Sequence, residues 1–279
     1  MELDSSFVMN GIILITSDRK NDGGNTRRLD EELQGITTNE DFIYWHEEIP
    51  SKHHFIMYME EVKRLVKDEG FRPILHFHMH GGKELGLEIG VSNEFISWSE
   101  LSEILREINI LLKNDLCVVS TACHAYNLIS EITITKPVPY FCLIAALDTV
   151  SFGYIDDNAS KFYRKLFVSG SLRAAYTDIN DMFEYFHSEK LLIVTLAKYI
   201  ILKCKGKEKD KRKEALLTSA IESGMPNDPA SLKELRLIIK EHIKPEQALL
   251  TRYIEQFLVG KLISITIDEV LDLIESRHA

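Results

Sequence analysis

The chain has no CxxC pair, no apolar run long enough to cross a bilayer, no surplus of positive charge and no internal repeat. Each absence removes a class of protein. The four cysteines, Cys117, Cys123, Cys142 and Cys204, fall at spacings that suit neither a disulfide framework nor a structural zinc site. The longest apolar stretch, residues 191–202, is interrupted by Lys198 and is too short for a membrane span. A net charge of −10 argues against general nucleic-acid binding, which needs cations to displace the counterions of the phosphate backbone. Residues 1–10 carry two acids and no basic region, so they are not expected to be a signal peptide. The expected location is cytoplasmic, with no membrane partner and no direct nucleic-acid partner. The 279 residues, 45% of them hydrophobic, suffice for one large core or for one core with a smaller appendage.

Short apolar runs alternate with helically spaced ones along the first two thirds of the chain. Residues 11–16, 41–45, 74–79, 116–120 and 140–147 read as strands. Residues 17–28 read as a polar loop. Apolar residues at helical spacing predict a helix over 53–69, ended by Gly70 as a left-handed cap. Residues 85–98 alternate around Ser92-Asn93 and read as a hairpin. Ser99 reads as the start of a helix in a capping-box pattern with a glutamate that follows it in the first turn, and the helix runs to about residue 113. Two helices are predicted over 157–168 and 171–186, separated by Ser169-Gly170. The expected fold is therefore α/β, a three-layer sandwich around a mostly parallel sheet, over residues 1–186. Residues 187–279 show only helical periodicity and read as a helical subdomain that is regulatory or partner-binding. Within it, residues 203–213 hold seven basic and two acidic side chains and read as a solvated loop or helix end, or as an exposed docking or cleavage segment.

Two of the strands end in reactive side chains. Residues 74–80 end at His80, followed by Gly81-Gly82, and residues 116–123 end at Cys123. If the strands are neighbours in a parallel sheet, both side chains emerge at its carboxyl edge, where open α/β sheets place their sites. A cysteine beside a histidine is a nucleophile with its acid–base partner. In that reading Cys123 attacks a carbonyl, His80 protonates the leaving amine, and the Gly81 and Cys123 amides form an oxyanion hole. Cys117 and Cys142 lie inside apolar runs and read as buried small hydrophobes. His76, His78 and His80 alternate along one strand and share a face; with His124 they suggest a metal site, although the strand motif carries no carboxylate.

The order of these motifs resembles a caspase-fold cysteine peptidase, closest to the bacterial CHAT-type branch related to separases. The likeness rests on His80-Gly81, the hairpin over 85–98, Trp98-Ser99-Glu100-Leu101, and Ser120-Thr121-Ala122-Cys123. It continues through the strand at 143–147, an acidic turn at Asp156-Asp157, Phe162-Tyr163, and Gly170-Ser171 opening another helix. It covers roughly residues 10–185. The resemblance implies a cysteine endopeptidase with a Cys123/His80 dyad and no cofactor, acting on a protein substrate. It also implies release by an activating protein partner, in a setting of antiviral defence or programmed cell death. The chain departs from the pattern at Cys123-His124-Ala125-Tyr126. Thr121 also stands where metacaspases carry an aspartate that contributes to basic P1 recognition. The loop after the first strand lines the S1 pocket in this fold, and Asp18 and Arg19 are its candidate substrate-binding residues, one suited to a basic and one to an acidic P1 side chain. Two other classes remain open: an inert caspase-like scaffold that binds partners, and a metallohydrolase built on the histidine cluster.

Overall fold

The computed structural model describes residues 6–19, 22, 25–37, 42–204, 206–243, 247–263 and 265–275. Two compact units divide the chain: Met1–Lys190 with Gln256–Lys261, and Leu191–Glu255 with Leu262–Ala279. The first unit thus takes in Gln256–Lys261, which the sequence reading assigns to the helical part.

The first unit is built on a six-stranded sheet. β1 (Gly11–Ser17), β2 (Ile43–Glu48), β3 (Pro73–Met79), β7 (Cys117–Ser120), β8 (Cys142–Ala146) and β9 (Phe183–His187) lie in the order β2-β1-β3-β7-β8-β9. All neighbours are parallel except β8 and β9. The central strands β1 and β3 are buried along their whole length, as continuous apolar runs require when both faces are covered. One face is covered by α1 (Asn25–Ile36), α4 (Phe152–Ser169) and α5 (Leu172–Tyr176). Leu29, Leu33, Phe162, Tyr163 and Leu166 of those helices pack there on Ile12, Leu14, Cys117 and Ile144 of the sheet. On the opposite face, Phe55 of α2 (Lys52–Glu69) meets Phe77 with ring centroids 6.3 Å apart, and α3 (Trp98–Leu111) packs on α2. The first unit is thus the expected three-layer α/β sandwich. A separate small sheet of β4 (Gly81–Gly82), β5 (Gly86–Ile89) and β6 (Glu94–Ile96) forms the hairpin region after β3.

Several boundaries differ from the expected ones, each for a local reason. Residues 171–186 do not form one helix: α5 is short and the chain returns as β9, whose Phe183 and Phe186 are buried while Glu184 is exposed. The Asn180-Asp181 step breaks the helical pattern between them. The polar loop after β1 is shorter than residues 17–28, because Leu29 and Leu33 start a helical stripe and α1 opens at Asn25. The capping box sits two residues before Ser99: Ser97 accepts from the Glu100 N–H, and Glu100 accepts from the Ser97 N–H. Asp156 and Asp157 lie inside α4 rather than in a turn before it. Asp41, the expected start of the second strand, lies outside the described residues. The α2 prediction holds, with Ser51 as N-cap and Gly70 at φ 68° as C-cap.

The second unit is helical where it is described. Of the two readings of the basic run, the helix end holds and the loop does not: residues 203–204 end a helical turn, residue 205 lies outside the described residues, and residues 206–213 form the start of α7 (Gly206–Glu222), where Lys211 pairs with Glu208 and Lys213 with Asp210 three residues back. Leu217 of α7 packs with Leu235, Ile239 and Ile243, the first two on α8 (Pro229–His242) and the third just past its end. No described helix is long and apolar enough to cross a membrane.

Candidate active site

The parallel strands β1, β3, β7 and β8 end at one edge, and the residues singled out by sequence gather there. His80 directly follows β3, and Cys123 lies three residues past the end of β7. The two strand ends are tied together by Thr121, whose N–H donates to Phe77 O at 3.0 Å.

Cys123 is half-buried. Its Sγ accepts from the Val150 N–H at 3.4 Å and lies 3.8 Å from Val150 O. Val150 stands just before Ser151, the N-cap of α4, so the sulfur meets a backbone donor at the positive end of an 18-residue helix. The next residue, His124, has φ 60°, a left-handed conformation uncommon outside glycine and asparagine. Two contacts hold it there: its N–H donates to Asp148 O at 3.1 Å, and its Nδ1 lies 3.4 Å from Asp148 Oδ1. The unusual His124 of the sequence is therefore the turn that swings the chain away just after the cysteine.

His80 places Nε2 2.9 Å from Asp22 Oδ2, and its ring stands edge-on to Phe152, 5.5 Å between centroids at 90°. Asp22 was not among the expected site residues. Its Oδ2 also accepts from the Arg19 N–H at 2.6 Å. Burial opposes its negative charge, but the hydrogen bonds from His80 and Arg19 outweigh that cost, and the carboxyl is held below its ordinary range. A carboxylate at Nε2 accepts the proton carried there, which leaves Nδ1 as the nitrogen able to exchange a proton. The signal for Asp22 in the sequence was slight: an acid among glycines in the loop at the end of the first strand.

Among the described residues no hydrogen bond joins His80 to Cys123. The structure brings them together through a shared neighbour, since the sulfur rests on the Val150 backbone and the imidazole on Phe152 two residues later. It also packs Gly81 directly on the Cys123 carbonyl, where a Cβ at position 81 would overlap that oxygen. Gly81→Ala is therefore expected to destabilise the fold by about 2 kcal/mol, the usual cost of overpacking. Gly153→Ala, whose Cβ meets nothing, is expected to be neutral or stabilising. Urea midpoints of the two variants check this contrast.

The candidate substrate-binding residues are both engaged within the chain. Asp18 accepts from Thr26 Oγ1 at 2.8 and 2.9 Å, and Arg19 makes a two-pronged pair with Glu88 of β5. His76 and His78 lie behind the site and are buried. His76 Nδ1 is 2.9 Å from the Tyr163 hydroxyl, and Thr121 Oγ1 lies 3.4 Å from His76 Nε2 and 2.8 Å from His78 Nδ1. Both nitrogens of His76 are thus occupied. Among the described residues no group of three histidine, cysteine or acidic side chains is placed to hold a metal, so the metallohydrolase reading finds no ligand set there. Compared with known protein families and with curated proteins, the chain matches none.

Proposed function

We propose that the chain is a cysteine endopeptidase of caspase-like type, with Cys123 as nucleophile, His80 as acid and base, and Asp22 holding His80. The observation that carries this reading is the convergence of Cys123 and an Asp22-backed His80 on the Val150–Phe152 segment at the carboxyl edge of the sheet. The order of elements supports the same resemblance. A strand ending in His-Gly is followed by a hairpin, a capped helix, the strand before Cys123, a further strand, a helix with Phe162-Tyr163, and Ser171 capping the next helix.

In the proposed reaction the Cys123 proton passes to Nδ1 of His80, and the sulfur bonds to the substrate carbonyl carbon. Negative charge develops on the carbonyl oxygen, for which the Gly81 and Cys123 N–H groups are the candidate donors. His80 returns the proton to the leaving amine as the C–N bond breaks, and water hydrolyses the thioester by the reverse proton path. The substrate is a protein chain, and the helical second unit is the candidate surface for an activating partner in a defence or cell-death setting.

The contact of Sγ with Val150 rather than with His80 favours a second reading, an inert scaffold of the same fold. One experiment decides between them: the alkylation rate of each cysteine against pH, read by peptide mass spectrometry, in wild type and His80→Ala. The expected result is that Cys123 alone reacts fast and that its dependence on pH changes in His80→Ala. A Cys123 that reacts independently of His80 favours the scaffold.

A further inference from the structure

Arg19 is half exposed in a loop and Glu88 is largely buried on β5 (side-chain exposure 48% and 11%), yet their pairing closes a ring of contacts around His80. Starting at the imidazole, Nε2 meets Asp22 Oδ2 at 2.9 Å. The same oxygen accepts the Arg19 N–H at 2.6 Å. The Arg19 guanidinium uses Nε and Nη2 on the two carboxylate oxygens of Glu88, with Nε to Oε1 at 2.7 Å. The Glu88 N–H then donates to His80 O at 2.9 Å. The ring thus leaves His80 by its side chain and returns to it by its main chain.

A second observation shows the loop and the hairpin pressed together without any charge. A Cβ at Gly90, just past β5, would stand 2.7 Å from Ser17 O and 2.8 Å from Arg19 N. That approach is closer than side-chain carbons tolerate, so the absence of a side chain at 90 is what lets the hairpin reach the loop.

We propose that the Arg19–Glu88 pair is a positioning clamp. It fixes the loop after β1 against the hairpin so that Asp22 meets His80 in the orientation proton transfer needs. Its consequence for reactivity rests on the peptidase reading above; the clamp itself does not. The fork geometry of arginine suits the task, because two parallel hydrogen bonds fix direction as well as distance. Besides Asp22, the imidazole meets the ring of Phe152 of α4 and acts by its charge on His78 of β3, on which Asp18 of the loop also acts. The carboxylate of Asp18 is already held by Thr26.

The test compares Glu88→Gln, Asp22→Asn and the control Glu94→Gln in the full chain. Glu94 lies in the same hairpin and bonds Ser92 and the Lys52 N–H, but not the clamp. Two readouts are taken: the pH profile of Cys123 alkylation, and the downfield NMR signal of the His80 Nε2–H bonded to Asp22. Asp22→Asn is expected to abolish the signal and to slow Cys123 alkylation at neutral pH by about tenfold, since without the carboxylate the imidazole is a weaker acceptor for the thiol proton. Glu88→Gln is expected to move both readouts in the same direction, to a smaller extent, and Glu94→Gln to move neither. A Glu88→Gln variant with the wild-type signal and profile, or a Glu94→Gln variant that moves as far, overturns the clamp. If the NMR signal responds as expected while the Cys123 alkylation profile stays that of wild type in every variant, the clamp stands and the peptidase reading falls.

Discussion

Cys123→Ser and His80→Ala are each expected to reduce the proposed cleavage of an unstructured peptide library, read as new termini by mass spectrometry, by at least about 10³-fold. Serine at 123 keeps the shape but not the chemistry, because its hydroxyl is far harder to deprotonate than a thiol. Alanine at 80 removes the carrier that takes the thiol proton and returns it to the amine. The double variant is expected to be no worse than either single one, since the two residues act as a unit. Both variants should stay folded. Cys123→Ser disturbs only the seat of Sγ on the Val150 backbone, and His80→Ala removes one hydrogen bond to Asp22 and one ring edge against Phe152. The other thiols supply a control within the same molecule. Burial pushes Cys117 well above its ordinary value and Cys142 up to about 12, so neither offers a thiolate, and Cys117→Ala should cleave as wild type does. Cleavage that survives in Cys123→Ser or His80→Ala removes the assignment.

What the sequence disclosed follows the strength of local signals. β1 and β3 were legible because strands buried on both faces are written as unbroken apolar runs. α2 was legible because its buried Phe55, Met59, Val62 and Val66 follow helical spacing up to a glycine. β9 was not, because its five residues mix buried and exposed positions at the sheet edge and follow a genuine helical turn, so local periodicity ran on across the break. The meeting of His80 and Cys123 at one edge needed only the parallel pairing of β3 with β7, and that pairing is present. Asp22 needed more: its place beside His80 depends on the course of a loop and on the Arg19–Glu88 contact between residues 69 positions apart, which no spacing rule encodes. The engagement of Asp18 and Arg19, the candidate substrate-binding residues, was hidden for the same reason, since their partners Thr26 and Glu88 come from a helix and a hairpin.

Stability should fall as the solution is acidified from about pH 8 to about pH 5, well before ordinary carboxylates titrate. The source is the buried histidine pair behind the site. Burial drives His78 from 6.5 to about 4, with the Asp18 charge opposing it, and drives His76 well below 6.5 with His78 adding to the effect. Both are therefore neutral in the fold while an unfolded histidine binds a proton near 6.5. Between these values the unfolded chain holds more protons than the native one, so acid favours unfolding; above 6.5 the contribution is fully present, and it is lost as pH falls toward 4. For His78 the loss is on the order of 2 kcal/mol by about pH 5 and 3 kcal/mol by about pH 4, and His76 adds to it in the same direction. Urea midpoints measured across this range check the slope. His78→Asn keeps a polar group near Thr121 Oγ1 but cannot titrate, so it should flatten the slope even though it loses packing at every pH. An unchanged slope in that variant would move the acid sensitivity away from this pair. The window is separable from that of the carboxylates: Glu100, held to about 2 by Lys52 and the Ser97 N–H, loses its contribution only as pH falls below the ordinary carboxylate range. A loss of stability above that range therefore reports the histidines that tie the strand of His80 to the strand of Cys123 through Thr121.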